Sequence, residues 1–412
     1  MSKATSTTSN LTTTSMLTII VILVTVSTTA SYYAVNFSHG TSTSSATTAS
    51  STTVTSTSGQ PSSSVSTTAG HAGNVTLGND PNAAVYDSAN GYVYVVNSNV
   101  FGEASISVVS GMTVVGNISI GRGDYSSMSS VVSDPSNGDV YVASQFTSSV
   151  AVISGTALAA NITLAQNPYA LAFDPQNGYV YSANYGSNGV GSTVSVISGT
   201  QLAATVKVGS GPDTLVYDAS NGYVYVGNAG SYYLSLISGT KVVGNVTVPY
   251  GTFASAYDPA DHYVYVTTAQ AATEGNVTIV SNETVVANLR AGIFPSALLY
   301  DPADQYMYLI AAGEPGPQGI STVVAISGAG IVGNMTVGND AQGMVYNPDN
   351  QEVYVALFGP NQVAIISGTK VVATVYAGES PTAIAYDPSD HSVYVVDYGF
   401  VGPGAVTLIP SS

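Results

Sequence analysis

The stretch Pro381 to Asp397 reads PTAIAYDPSDHSVYVVD. A short apolar run ends in Tyr386-Asp387, a tight turn follows, and Ser392 to Val396 alternates around Tyr394. β-Branched and aromatic residues bounded by Pro, Asp and Ser describe two strands joined by a hairpin. The unit recurs. Its acidic or amide position falls at Asp87, Asp134, Asp174, Asp218, Asp258, Asp301, Asn347 and Asp387, at intervals of 40 to 47 residues. A period of that size points to propeller blades of four strands each.

The rest of each repeat supplies two more strands. The third is typified by Gln362 to Ile366 and the fourth by Val371 to Tyr376. No segment after residue 72 has a sustained helical period. In turns such as Asp134 to Gly138 and Asp174 to Gly178, the Asp side chain accepts turn N–H groups. Pro presets φ there, and Asn-Gly supplies a residue at positive φ. Between third and fourth strands stand Ser110-Gly111, Ser154-Gly155, Ser198-Gly199, Ser238-Gly239, Ser327-Gly328 and Ser367-Gly368, with Ser281-Asn282 in one repeat. Asn is the usual substitute where the backbone goes left-handed, so this Gly has a steric role.

The two ends of the repeat region complement each other. Asn74-Val75-Thr76-Leu77 matches a fourth strand such as Asn245-Val246-Thr247-Val248, and Ala405 to Ile409 matches a third. The expectation is an all-β, eight-bladed β-propeller over residues 72–412. Its terminal blade takes three strands from the C-terminus and the fourth from the N-terminus, which removes open edges. The alternative is seven blades with one copy displaced as an appendage.

The 412 residues carry 6 Lys or Arg against 23 Asp or Glu, a formal charge of −17. Such a chain repels nucleic-acid phosphates and anionic membrane surfaces. Only 7% of residues are charged, so the surface is built from Ser, Thr, Asn, Gln, Tyr and attached sugar rather than salt bridges. Cysteine is absent, which excludes thiol catalysis, thiolate metal sites and disulfides. A repetitive core supplies stability without them.

Residues 1–35 contain an uncharged apolar segment from Met16 to Val35. It reads as a secretory signal peptide, with Thr28-Thr29-Ala30 for cleavage, or as a transmembrane anchor with Tyr32 and Tyr33 at the interface. Both place the rest outside the cell. Residues 36–71, mostly Ser and Thr, form a stalk that cannot bury itself and is suited to O-linked sugars.

The repeats resemble the archaeal and bacterial YVTN β-propeller repeats over about residues 72 to 409. The likeness rests on Tyr94-Val95-Val96-Asn97, Tyr225-Val226-Gly227-Asn228 and the blade motif Gly378-Glu379-Ser380-Pro381 followed by Tyr394-Val395-Val396-Asp397. The resemblance implies a surface-exposed or secreted propeller associated with archaeal surface layers and adhesion. Related propellers include lactonases and streptogramin lyases, so fold alone does not fix function. Many members have seven blades, and eight copies are a departure.

Histidine occurs only at His39, His71, His262 and His391, the last two in equivalent turns of different blades. No nucleophile elbow, phosphate loop or zinc spacing is present. The repeated turn Asp residues lie too far apart for paired-carboxylate chemistry, which needs ~5–9.5 Å, and read as turn caps. Segments entering first strands and those linking second to third strands share one face. That candidate binding face carries Asp80, Arg122, Asp124, Tyr125, Tyr169, Tyr185, Asp213, Tyr232, Tyr233, Asp340, Glu379 and Tyr398. Its acids offer the oxygen ligands Ca²⁺ takes, though no calcium loop is present; a solvated acidic rim is the plainer reading. Its tyrosines suit stacking on sugars and protein surfaces.

N-x-[ST] sequons stand at Asn10, Asn36, Asn74, Asn117, Asn161, Asn245, Asn276, Asn282 and Asn334, and all but Asn10 are candidates for N-glycosylation. Five of them, Asn74, Asn117, Asn161, Asn245 and Asn334, share one point of the fourth, outermost strand. The functional expectation is a non-enzymatic, extracellular, cell-surface propeller that binds surface proteins or glycans, with no cofactor and no nucleic acid. The alternative is a lactonase-like or lyase-like enzyme using the central channel. For that reading, Arg122 and Asp124 would have to point into the channel.

Overall fold

A computed structural model describes residues 73–99, 102–122, 130–269, 274–311, 319–399 and 402–411. The leader, the stalk, Asn36, Asp124 and Tyr125 lie outside the described residues. Thirty-two strands form eight four-stranded antiparallel sheets. The first blade is β2 (Pro81–Asp87), β3 (Tyr92–Asn97), β4 (Glu103–Ser110) and β5 (Thr113–Arg122). The next six blades repeat that order, and their first strands end at Asp134, Asp174, Asp218, Asp258, Asp301 and Asn347. In the eighth sheet the order is β1 (Gly73–Thr76), β32 (Ala405–Pro410), β31 (Ser392–Asp397), β30 (Pro381–Asp387). Gly73 pairs with Leu408 and Thr76 with Ala405, so the two ends close the terminal blade as expected and the seven-bladed alternative falls. First strands touch one another in sequence around a closed ring, which makes each the inner edge of its blade.

The core lies between blades. Second and third strands carry near-continuous buried runs, because each of their faces meets a neighbouring sheet. One layer joins Tyr94, Val96 and Ile106 of the first blade to Val140, Val142 and Ala151 of the second. The closing layer joins Val75, Tyr394 and Val406 to Val93, Val95 and Val109. Each fully buried aliphatic side chain contributes ~1.5–3 kcal/mol.

The hairpin caps are as expected. A side-chain oxygen at Asp87, Asp134, Asp174, Asp218, Asp258, Asp301, Asn347 and Asp387 accepts the N–H two residues on, at 2.8–3.1 Å. The fifth turn residue is left-handed in every blade: Gly91, Gly138, Gly178 and Gly222, but His262, Gln305, Gln351 and His391 in the others. The two histidines stay apart, with His262 Nδ1 3.0 Å from the Tyr257 hydroxyl and His391 Nδ1 2.9 Å from Asp349 Oδ2.

The Ser-Gly turns also have positive φ, at 53–58° for the glycines and 43° for Asn282, which confirms the steric role. They have a second role that their sequence does not show. In four blades the buried second-strand tyrosine donates its hydroxyl to the turn's carbonyl in the next blade: Tyr94 to Gly155 (2.9 Å), Tyr181 to Gly239 (2.9 Å), Tyr265 to Gly328 (2.6 Å) and Tyr308 to Gly368 (2.6 Å). Burial pushes the Tyr94 and Tyr181 phenols up to about 12, which keeps them neutral donors.

Replacing Tyr181 or Tyr308 with Phe strands a turn carbonyl and is expected to cost about 1–2 kcal/mol in denaturant unfolding. Gln305→Gly relieves a left-handed non-glycine residue and is expected to gain about 0.5–1 kcal/mol in the same assay.

Candidate binding face and channel mouth

The segments entering first strands and the second-to-third loops do share one face. Backbone bonds tie them together: Ser98 N–H to Asp80 O (3.0 Å), Ala229 N–H to Gly211 O (2.8 Å), Phe358 N–H to Asp340 O (2.9 Å) and Tyr398 N–H to Ser380 O (3.1 Å). This upper face surrounds one mouth of the channel. Asp80, Asp340 and Tyr232 hold left-handed backbone in these tight loops (φ 52–55°). Tyr232 is exposed, Glu379 is exposed, and Tyr233 and Tyr398 are half-buried.

The candidate residues are spread around the disc and do not converge. Tyr169 and Tyr185 are an exception, with rings 5.2 Å apart at 37°. Gly189 permits that pair, since a Cβ there would sit 2.8 Å from the Tyr185 hydroxyl. Arg122 is not at the channel. It ends the outermost strand of the first blade, and its guanidinium lies 5.5 Å from the Phe146 ring centroid, in the second-to-third loop of the next blade. An arginine there is no oxyanion partner for channel chemistry.

The face is also less acidic than its composition suggests. Asp213 is 5% exposed and accepts the Thr252 hydroxyl at 2.6 Å, and burial raises its carboxyl well above the usual range. Asp340 is raised by the same cause. Among the described residues no three His, Asp or Glu side chains gather as a metal-sized cluster.

Asp397 shows what the Tyr-Val-x-Asn motif does. In three blades the motif's last residue is a buried Asn97, Asn184 or Asn228 lying against third-strand polar groups; Asn97 donates to Ser107 at 2.9 Å and Asn228 to Ser235 at 3.1 Å. A glycine from the linker seats on it. A Cβ at Gly78 would lie 2.9 Å from Asn97 Cγ, and one at Gly209 2.6 Å from Asn228 Cγ. In the eighth blade the position is Asp397, with Thr407 Oγ1 2.6 Å from its Oδ2 and 2.9 Å from Asn74 Oδ1. Burial raises Asp397 to about 7, with the Thr407 and Gly378 hydrogen bonds partly opposing.

Sequence reasoning missed the residues at the start of the first strands, including Asn82, Phe253, Ser296, Gln342 and Thr382. The available signal was their variety. The position after the repeated Pro, or its counterpart, changes chemistry from blade to blade while its neighbours hardly change.

No protein-family model matches the chain, and no curated protein does. Solved structures do. A chain of Kuenenia stuttgartiensis hydrazine synthase aligns over 82% of this chain and 97% of its own at 15% identity and TM-score 0.54. Streptogramin B lyase aligns over 82% and 97% at 12% identity and TM-score 0.51. The β-propeller domain of Myceliophteria thermophila Cps50 (Swd1) aligns over 83% and 100% at 10% identity and TM-score 0.52. At these identities the likeness shows the fold alone: the chain is a β-propeller.

The folded pKa of Asp397 lies above its unfolded value. Its contribution to stability is therefore complete below about pH 4 and is lost as pH rises through about 7. Asp397→Asn adopts the residue of the sibling blades. It is expected to match wild type near pH 4 and to exceed it by about 2–4 kcal/mol at pH 8, measured by chemical denaturation at both pH values.

Proposed function

We propose that the chain is an exported, rim-glycosylated surface propeller that binds neighbouring surface proteins or glycans. The observation that carries this reading is the placement of the sequons. Asn74, Asn117, Asn161, Asn245 and Asn334 lie in register on outermost strands, and each is exposed together with the hydroxyl residue two positions on. Successive odd positions of a strand share a face, so both elements of the sequon are presented outward. Sugars there project from the rim and leave both faces of the disc open. Asn282 is exposed in its turn, whereas Asn276 is half-buried on a third strand between Thr268 and Arg290 and is a poor acceptor.

Three further features support the reading. The apolar segment at Met16 to Val35 and the Ser/Thr-rich stalk suit display outside a cell. The charge of −17 disfavours nucleic acid. Loops of unequal length on a regular scaffold are where recognition resides. The YVTN-like repeats make an archaeal surface layer the setting we propose.

Protease added to intact cells is expected to reach residues 73–411, and protection equal to a cytosolic control would contradict export. Mass spectrometry of peptides from exported protein is expected to find sugar at Asn117, Asn161 and Asn245 and none at Asn276. Bare asparagine at all five rim sites would remove the glycan part of the reading.

A further inference from the structure

Charge is segregated in this propeller. Among the described residues every Lys and Arg lies on an outermost strand: Arg122, Lys207, Lys241, Arg290 and Lys370. All five are exposed, and no Asp or Glu lies on any outermost strand. Exposed carboxylates gather elsewhere. The hairpin turns carry Asp261, Asp304, Asp349 and Asp390 in the fifth to eighth blades, one to a blade, whereas the matching turns of the first four carry Asn90, Asn137, Asn177 and Asn221. These turns form the lower face, so half of that face is an acidic arc. The acids of the upper face are scattered, and Asp213 and Asp397 there are buried.

The rim is divided as well. In five blades the outermost strand carries the in-register sequon, with Thr76, Ser119, Thr163, Thr247 or Thr336 as its hydroxyl residue. In the third, fifth and seventh blades that position is Lys207, Arg290 and Tyr376. They pair with Thr193, Asn276 and Gln362, the register in which Thr163 pairs with Ser149. The fifth blade even keeps the asparagine, Asn288, and lacks only the hydroxyl. Each of these three strands also bulges, and the extra residue, Ala203, Val286 or Val372, is exposed. A bulged edge resists the addition of another strand, so contact there is made by side chains. The three strands are thus sugar-free windows, each with a cation or a phenol and an apolar bulge residue.

We propose that these windows dock the acidic arc of a second copy of this chain, rim against lower face. The inference rests on the rim-sugar reading for which blades stay open; the charge pattern holds without it. Copies that each carry −17 repel one another unless unlike charges are set together. This chain supplies both halves, cations confined to the rim and carboxylates clustered on half of one face. Lys207 and Lys370 have no ion-pair partner among the described residues, so their charges are not matched within the molecule. Within the arc, among the described residues, Asp349 alone has an imidazole partner, His391 Nδ1 at 2.9 Å. Tyr and Arg are the side chains on which interface energy concentrates. The two surfaces differ, so the contact is heterologous and does not close as a two-fold dimer. One outer strand is a small patch, which makes each contact weak and sensitive to salt.

Sedimentation velocity on the full-length chain over a concentration series tests the proposal. Self-association is expected, weakening about tenfold or more as sodium chloride rises from about 50 to 500 mM. Two charge-reversed variants carry the decision. Lys207→Glu with Lys370→Glu reverses the windows, and Asp261→Lys with Asp304→Lys reverses the arc. Each alone is expected to sediment as a monomer. Their mixture is expected to regain association, because a reversed rim fits a reversed arc. Lys207→Thr and Asp304→Asn install the residues of sibling blades, and each is expected to weaken association while the unfolding temperature holds, which separates docking from folding. Carbodiimide crosslinking of mixed light- and heavy-nitrogen chains is expected to join Lys207 of one copy to Asp261 or Asp304 of another. A chain monomeric at low salt, association indifferent to both reversals, or a mixture that fails to recover overturns the proposal. So does a rim that binds heparin while the chain stays monomeric. Any of these with export and rim sugars intact removes the self-docking and leaves the surface reading. Bare rim asparagines with a mixture that still recovers do the reverse.

Discussion

At four of the eight blade junctions a phenol hydroxyl reaches from one blade to the carbonyl of a left-handed turn in the next, the directional contact between otherwise apolar sheets. Stacked sheets of Val, Ile and Leu supply most of the burial, but apolar faces slide and rotate at little cost because the hydrophobic effect has no direction. The tyrosine supplies direction. Its ring fills the middle of the interblade layer, and its hydroxyl meets a carbonyl presented by a turn that only Gly or Asn readily forms. The closing blade departs from the pattern: Tyr394 donates to Asp390 Oδ2 of its own hairpin turn at 2.6 Å and takes a backbone hydrogen bond from Gly111 of the first blade, while in the second blade the buried Tyr141 hydroxyl has no hydrogen-bond partner. Glycine and tyrosine are thus one feature, divided between neighbouring repeats.

Much of the fold was legible because every structural requirement is written eight times. The aspartate that caps each hairpin, the left-handed turn residue and the matching of Asn74–Leu77 to the missing fourth strand follow from spacing and turn chemistry. The interblade hydrogen bond was not legible, since its partners lie about sixty residues apart and nothing local signals the acceptor. The steric reading of Ser-Gly was correct and incomplete.

The candidate site was legible only in outline. Loop topology assigned Tyr169, Tyr185 and Asp213 to one face, and there they lie. Topology does not give depth or radius. Asp213 turns inward to Thr252 and is buried, whereas Arg122 extends an outermost strand and rests over Phe146. The bulges that open the first strands escaped notice because a one-residue slip leaves no compositional mark beyond variety at one position.

A closed ring has no weak end, and that is the account's central claim. Native-state hydrogen exchange tests it most directly. Amides of Val406 and Leu408, in the blade assembled from both ends of the described chain, are expected to exchange with the same opening free energy as those of Val224 and Val226 in the fourth blade. A linear stack would open from its terminal repeat first. Exchange at Val406 and Leu408 through an opening several kcal/mol below that of the fourth blade would contradict closure.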